Sequence, residues 1–446
     1  MKKLLQKLSP GRILALGFAL LILLGTFVLW LPVATRAGEQ TTFLDALFTS
    51  ASATCVTGML MADTYTHWTI FGQLVILGLS HVGALGFITV GTHIAMLTKK
   101  KISLQNRTMI HESINTIDLA GVVRLVRKIM VGTLLMEVLG TILLAFRFVP
   151  QFGWGRGLYF AFYHSVSAFC NAGFDLMGIR ESYSSLTAYE GDILVNVTVM
   201  GLILIGGVGF MVWDDVLRNR FCFKKYMLQS KITLAVSGIL IFGGALLFYV
   251  FEKDGLLAGM NAKESILGAF FMSVTPRTGG MNTTDFSQMG NAGKLLTMVF
   301  MFIGGGSGST AGGVKITTVV VMLLTAVATV RGTRGVNVFG RRLEEDAVRR
   351  ASVIVCCNLV LTVVGALLLM ACQDLSFTDV LIESVSAINT VGLSTGITRQ
   401  LVPFSKIVLI ILMYCGRLGS LTFALVFAQP RSVPPVQQPV EKIVVG

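Results

Sequence analysis

The sequence runs to 446 residues, 54% hydrophobic and 13% charged, with a mean hydropathy of +0.76. A soluble domain carries roughly twice that share of charge, so an ordinary cytosolic enzyme is excluded. The net charge of +13 invites a nucleic-acid partner, but 24 of the 36 Lys and Arg fall within residues 2–12, 99–128, 218–231, 331–350 and the tail, in alternate gaps between apolar runs. That is the positive-inside pattern: it places those segments and both termini in the cytoplasm and calls for no nucleic acid.

Apolar runs of about 20 residues, each matching the roughly 30 Å of membrane hydrocarbon, recur along the chain. In order they predict spans at 13–31, 70–97, 129–149, 193–213, 232–251, 294–330, 351–371 and 405–428. The first follows Lys2, Lys3 and Lys7 like a signal peptide. It is too long for one, and Pro32 and Arg36 make a poor cleavage site, so it reads as an uncleaved helix. The sixth is too long for one straight helix. Its residues 304–313 read GGGSGSTAGG, and at about 1 kcal/mol per Gly the helix should break there. Irregular backbone at that depth must be buried in protein or line a watery cavity. Cys55, Cys170, Cys222, Cys356, Cys357, Cys372 and Cys415 form no CxxC pair and read as membrane-buried thiols. His67, His81, His93, His111 and His164 have no metal-like spacing and read as structural.

After the first, third, fifth and seventh spans comes an apolar stretch too short to cross a bilayer. Aligned without gaps, these read FLDALFTSASATCVTG (43–58), LYFAFYHSVSAFCNAG (158–173), ESILGAFFMSVTPRTG (264–279) and FTDVLIESVSAINTVG (377–392). Each ends in Gly, at 58, 173, 279 and 392, with Ser six residues earlier, at 52, 167, 273 and 386. The following span carries GxxG in every copy: Gly83 and Gly86, Gly206 and Gly209, Gly305 and Gly308, Gly416 and Gly419. The chain therefore reads as an all-α polytopic membrane protein of eight spanning and four re-entrant helices. Its four pseudo-symmetric repeats are 1–100, 101–220, 221–345 and 346–446.

Four short helices entering from outside would aim C-terminal ends, each with about half a negative charge, at a common axis. The Gly closing each loop lets carbonyls turn inward and replace an ion's hydration shell. Ordinary helix-ending glycines would account for one copy, not for four in phase. As nucleophiles of a membrane-embedded enzyme, Ser52, Ser167, Ser273 and Ser386 lack a His or Asp recurring beside them. A membrane scaffold with a dead pore is the other alternative, and the intact glycines argue against it. Residues 308–317, GSTAGGVKIT, vaguely match a phosphate-binding P-loop, but Val314 separates Gly313 from Lys315 and no strand precedes it.

The loops DALFTSASATCVTG, FCNAGF, TPRTGG and NTVGLS, with the glycine-rich interruption, resemble the Trk/Ktr/HKT superfamily of potassium transporters. The chain is most similar to the bacterial Ktr integral-membrane (KtrB-like) subunit, over nearly its full length. The resemblance implies one pore per chain, a homodimer, and control by a cytosolic regulator-of-potassium-conductance (KtrA-like) nucleotide-binding ring. It implies transported potassium, sodium as an activator, no organic cofactor, and a place in the bacterial plasma membrane. It puts the selectivity filter at Val56, Thr57, Gly58, Asn171, Ala172, Gly173, Arg277, Thr278, Gly279, Thr390, Val391 and Gly392. In plant relatives a Ser at the first filter glycine goes with sodium preference, so Gly58 favours potassium over a sodium-conducting or poorly selective relative.

The resemblance makes 304–314 an intramembrane gating loop: Gly304, Gly305, Gly306, Ser307, Gly308, Ser309, Thr310, Ala311, Gly312, Gly313, with Lys315 and Arg417 completing the gate. Arg417 lies inside the last span, where a charge costs at least about 2.5–3.5 kcal/mol without a partner or cavity. Arg277 is expected to bind carbonyls or an acid behind the filter, and Glu137 and Glu383 to line the pore or pair with such a donor. The basic loops would face the regulatory ring or anionic membrane lipid. The tail after 430 is too small to be a nucleotide-sensing module, so that module is expected on another chain.

Overall fold

The computed structural model describes residues 10–97, 122–220, 222–333, 335–419 and 423. The leader lysines, most of the 99–128 segment, His111, Arg334, the end of the predicted 405–428 span and the tail lie outside them.

The helices follow in four similar groups. First come α1 (Pro10–Trp30), α2 (Phe43–Thr54), α3 (Ile70–Leu85) and α4 (Phe87–Leu97). The second group is α5 (Val122–Phe152), α6 (Trp154–Phe169), α7 (Ile193–Val208) and α8 (Phe210–Asn219). The third is α9 (Leu228–Glu252), α10 (Ala262–Val274), α11 (Asn291–Phe302) and α12 (Ile316–Val330). The last is α13 (Glu345–Cys372), α14 (Phe377–Ile388) and α15 (Pro403–Leu418).

Helices α1, α5, α9 and α13 are each long and apolar enough to cross a membrane unaided. Their outward faces are bare hydrocarbon: Leu134, Leu135, Val138, Ile142 and Phe146 on α5 are exposed. The polar side chains Ser52, Ser167, Asn171, Glu383 and Thr390 are fully buried. A polar interior inside an apolar shell is the reverse of a soluble domain, and it makes this a multi-pass helical membrane protein.

The short helices start on local caps. The Thr42 side chain accepts from Asp45 N at 3.2 Å, and Asn261 and Glu264 form a reciprocal capping box. The first three short helices then pack into a glycine notch of the preceding span, and the matching Gly365 of α13 meets Leu412 of α15 instead. A side chain at Gly25 would strike Ser50 and Leu79, one at Gly140 Ser165 and Leu202, and one at Gly244 Ser273 and Phe300. The serines bond to the span's backbone, Ser50 to Ile22 O at 2.6 Å, Ser165 to Glu137 O at 2.7 Å and Ser273 to Leu240 O at 2.8 Å.

The fold is helical, and the structure adds two features to the expected picture. One short hairpin, β1 (Asn337–Val338) and β2 (Arg341–Arg342), pairs antiparallel, Asn337 opposite Arg342, in the predicted cytoplasmic segment 331–350. Helix breaks are also not confined to the sixth span. Gly86, Gly209 and Gly419 take φ of 80°, 108° and 85° at the ends of α3, α7 and α15, and α7 and α8 meet at 94°. A positive φ ends a helix wherever it falls, and Gly adopts it without a Cβ clash.

Candidate functional site

Four loops leave the C-terminal ends of α2, α6, α10 and α14 and meet at the centre of the molecule. In each, a non-glycine residue adopts a left-handed backbone: Val56 at φ 59°, Asn171 at 57°, Thr278 at 72° and Thr390 at 50°. Left-handed backbone costs roughly 1–2 kcal/mol at a residue with a Cβ and persists only where the surroundings impose it. Two residues on, Gly58, Gly173, Gly280 and Gly392 are also left-handed, at 86°, 74°, 70° and 91°.

These four glycines face one another. A Cβ on Gly173 would lie 3.1 Å from Gly280 Cα and 3.2 Å from Gly58 Cα. One on Gly58 would lie 2.5 Å from Ala172 O, and one on Gly280 2.8 Å from Val391 O. One on Gly392 would strike Thr57 O. The site is thus a ring of bare backbone into which the carbonyls of Thr57, Ala172 and Val391 project. With four helix C-termini behind it, it attracts a cation and offers oxygen ligands.

The third corner departs from the ungapped alignment: the glycine in the ring is Gly280, and Gly279 sits behind it against Ile203 and Thr275. The stretch from Thr275 to Gly280 is one residue shorter than those from Ser52, Ser167 and Ser386 to their glycines. In the other three loops the residue before the ring glycine donates to the carbonyl five positions back, as Thr57 N to Ser52 O at 2.8 Å, whereas Gly279 N reaches Thr275 O four back, also at 2.8 Å. Thr275 therefore stands where Ser52, Ser167 and Ser386 stand. Its Oγ1 donates to Met281 O at 2.5 Å as Ser52 Oγ donates to Met59 O at 2.9 Å. Ser273 instead matches Ser50 and Ser165. The doubled glycine of TPRTGG was the one visible signal for this shift.

Arg277 is buried behind the third loop and shares a small cavity with Ile203, Ser237, Gly305 and Ile316. Its Nε and Nη2 have no hydrogen-bond partner among the described residues. The acids proposed for it bond elsewhere: Glu137 Oε1 lies 3.1 Å from His81 Nδ1, and Glu383 accepts from Ser394 and, at 2.9 Å, from Thr398 Oγ1.

On one side of the ring is a cavity lined by the four glycines with Asp175, Tyr183, Ser394 and Arg399. Asp175 accepts from Met177 N at 2.9 Å, and burial, helped by the Asp63 carboxylate, pushes its pKa up to about 7. Asp63 is held by Tyr65 N, Thr66 N and Tyr183 N at 2.8–2.9 Å. The Arg399 guanidinium stacks 4.2 Å over the Tyr183 ring. None of these four was singled out in the sequence, and only the Asp two residues after Gly173 hinted at them.

On the opposite side, residues 303–315 separate α11 from α12 as an irregular loop beneath the ring. Side chains at Gly312 and Gly313 would run into Thr390 and Asn389. Gly306 N donates to Gly207 O at 2.8 Å, Thr310 N to Gly206 O at 3.2 Å and Phe210 N to Gly308 O at 2.8 Å, so the broken end of α7 cradles the loop. Arg417 spans the gap, donating to Thr310 O at 2.7 Å and to Gly83 O and Ala84 O at 2.6 and 2.8 Å. Lys315 Nζ folds back onto Ala311 O and Gly312 O at 2.6 and 3.1 Å. These half-buried cations thus neutralise carbonyls of the loop and a helix end.

The model of the TrkH family, described as cation transport protein, matches residues 13–433. The potassium/sodium uptake protein NtpJ of Enterococcus hirae is 40% identical over 100% of this chain and 99% of its own length. The Ktr system potassium uptake protein B of Bacillus subtilis is 37% identical over 95% of this chain and 94% of its own. The crystal structure of the potassium transporter TrkH from Vibrio parahaemolyticus shares the fold, with a TM-score of 0.73 at 19% identity over 95% of this chain and 86% of that one.

Proposed function

Since this chain belongs to the TrkH family of cation transport proteins, we propose that it takes up potassium through the ring of Gly58, Gly173, Gly280 and Gly392, passively and under the control of the 303–315 loop. The observation that carries this reading is the convergence of four strained loops, with glycine wherever a side chain would fill the centre. Backbone oxygens there replace water around an ion, and no covalent chemistry is called for. Potassium uptake is named for both relatives, and Gly58 at the first corner agrees with it. The relative named for potassium and sodium favours a second reading, in which sodium also passes.

In this proposal eight crossings surround the ring as four repeats. Arg417 and the loop obstruct the path below it, and sodium stimulates uptake. Two chains pair, and a cytosolic ring with regulator-of-potassium-conductance domains sets the loop's position from the basic face. The resemblance supports the pairing and the ring. The test is growth at limiting potassium of an uptake-deficient bacterium expressing the chain with and without such a ring subunit. Rescue that needs the ring and weakens in Gly58→Ser is expected. Equal rescue by sodium in transport assays favours the second reading, and no rescue by membrane-inserted protein rejects both.

A further inference from the structure

His81 of α3, Glu137 of α5 and Cys170, the residue that caps α6, meet inside the protein although they are far apart in sequence. His81 Nδ1 lies 3.1 Å from Glu137 Oε1 and 3.7 Å from Cys170 Sγ, and Sγ lies 3.9 Å from the same Oε1. Tetrahedral zinc with ordinary bond lengths of about 2.0–2.3 Å separates its N, O and S ligands by about 3.3–3.6 Å. The three atoms are therefore within a few tenths of an ångström of a ligand triangle.

The other junctions of the molecule provide an internal control. Three residues before the notch glycines Gly25, Gly140, Gly244 and Gly365 stand Ile22, Glu137, Ile241 and Thr362, so one of the four is ionisable. Two residues before Gly83, Gly206 and Gly416 stand His81, Leu204 and Tyr414. The junction of α15 with α1 and α2 holds Tyr414, Ile22 and Cys55 in an apolar cluster. Packing at this position thus needs neither a carboxylate nor an imidazole. Glu137 is 5% exposed and Cys170 fully buried, while the His81 side chain is 29% exposed and leaves one side open.

We propose that His81, Glu137 and Cys170 form a three-ligand site for a zinc-class divalent cation, with the fourth position open beside His81. A thiolate, a carboxylate and a neutral imidazole suit zinc or cobalt rather than magnesium or calcium, which take oxygen ligands. The charges balance: the thiol gives up its proton to solvent, and the resulting thiolate and the carboxylate offset the two positive charges of the ion while the imidazole binds neutral. Cys170 immediately precedes Asn171, the left-handed residue of the second loop, so the ion would tie α3 and α5 to the start of that loop.

The test titrates the purified full chain with Co²⁺ and then competes with Zn²⁺. The expected result is a cobalt–thiolate charge-transfer band that saturates at one ion per chain and is displaced by Zn²⁺. Removing the exposed thiols by Cys222→Ser, Cys356→Ser and Cys372→Ser leaves it intact. Cys170→Ser abolishes the band, and His81→Ala weakens binding by about tenfold or more. Absence of the band in the unaltered chain, its survival in Cys170→Ser, or its loss with the exposed thiols overturns the proposal. The unaltered and exposed-thiol variants decide even if Cys170→Ser fails to fold.

Discussion

At the scale of single residues, the ring depends on atoms that are missing. Gly280→Ala puts a Cβ at a φ of 70° and 2.8 Å from Val391 O, where only backbone surrounds it. Gly279→Ala meets the end of Ile203 at 2.9 Å, which can swing aside, and Thr275 backbone at 3.1 Å, a close contact that needs only a small shift, with φ outside the left-handed region. Rubidium uptake is expected to fall by about tenfold or more in the first, the equivalent of about 1.4 kcal/mol, and by much less in the second. Asp175 carries a pH dependence. Its folded pKa of about 7 is above the ordinary 3.8, so the folded state holds the extra proton and loses stability as pH rises between those values. Thermal stability should drop from pH 5 to pH 8 in the unaltered chain and change less in Asp175→Asn. Uptake should rise over the same interval as the carboxylate charges above the ring, and should be flat in Asp175→Asn. The ring's residue types were legible in the repeated sequence, but Gly280 was not, because an ungapped alignment cannot see that the stretch from Thr275 to the glycine is one residue short.

At the scale of elements, Arg417 is the clasp between the 303–315 loop and the end of α3. Arg417→Ala frees Thr310 O, Gly83 O and Ala84 O together and removes the charge below the ring, so flux should increase or escape control. Arg417→Lys keeps the charge but cannot fork across both partners, and should leave flux low while loosening control. Flux measured with and without the ring subunit separates the two, and unchanged transport and gating in Arg417→Ala would remove the residue from the gate. The long interruption at 304–313 was readable from composition. The single breaks at Gly86, Gly209 and Gly419 were not, since one Gly costs only about 1 kcal/mol in an apolar run and packing decides whether the helix yields.

At the scale of the whole molecule, charge placement predicts orientation. Cys222 lies in the basic 218–231 segment and Cys372 ends α13 on the opposite side, and both are exposed. An impermeant thiol reagent should label Cys372 but not Cys222 on intact cells, and both after permeabilisation; the reverse labelling would invert the topology. Hydropathy, the phase of Gly and Ser, and the distribution of Lys and Arg already determined a multi-pass helical membrane chain built on a recurring span and short helix. These properties follow from transfer to lipid and local backbone preference, which act on each segment separately. Only the tertiary structure decided that Gly280 closes the ring, that Arg417 bridges α3 and the loop, and that His81, Glu137 and Cys170 meet. Those are contacts between segments tens to hundreds of residues apart, set by how glycine notches seat one helix against the next rather than by any local pattern.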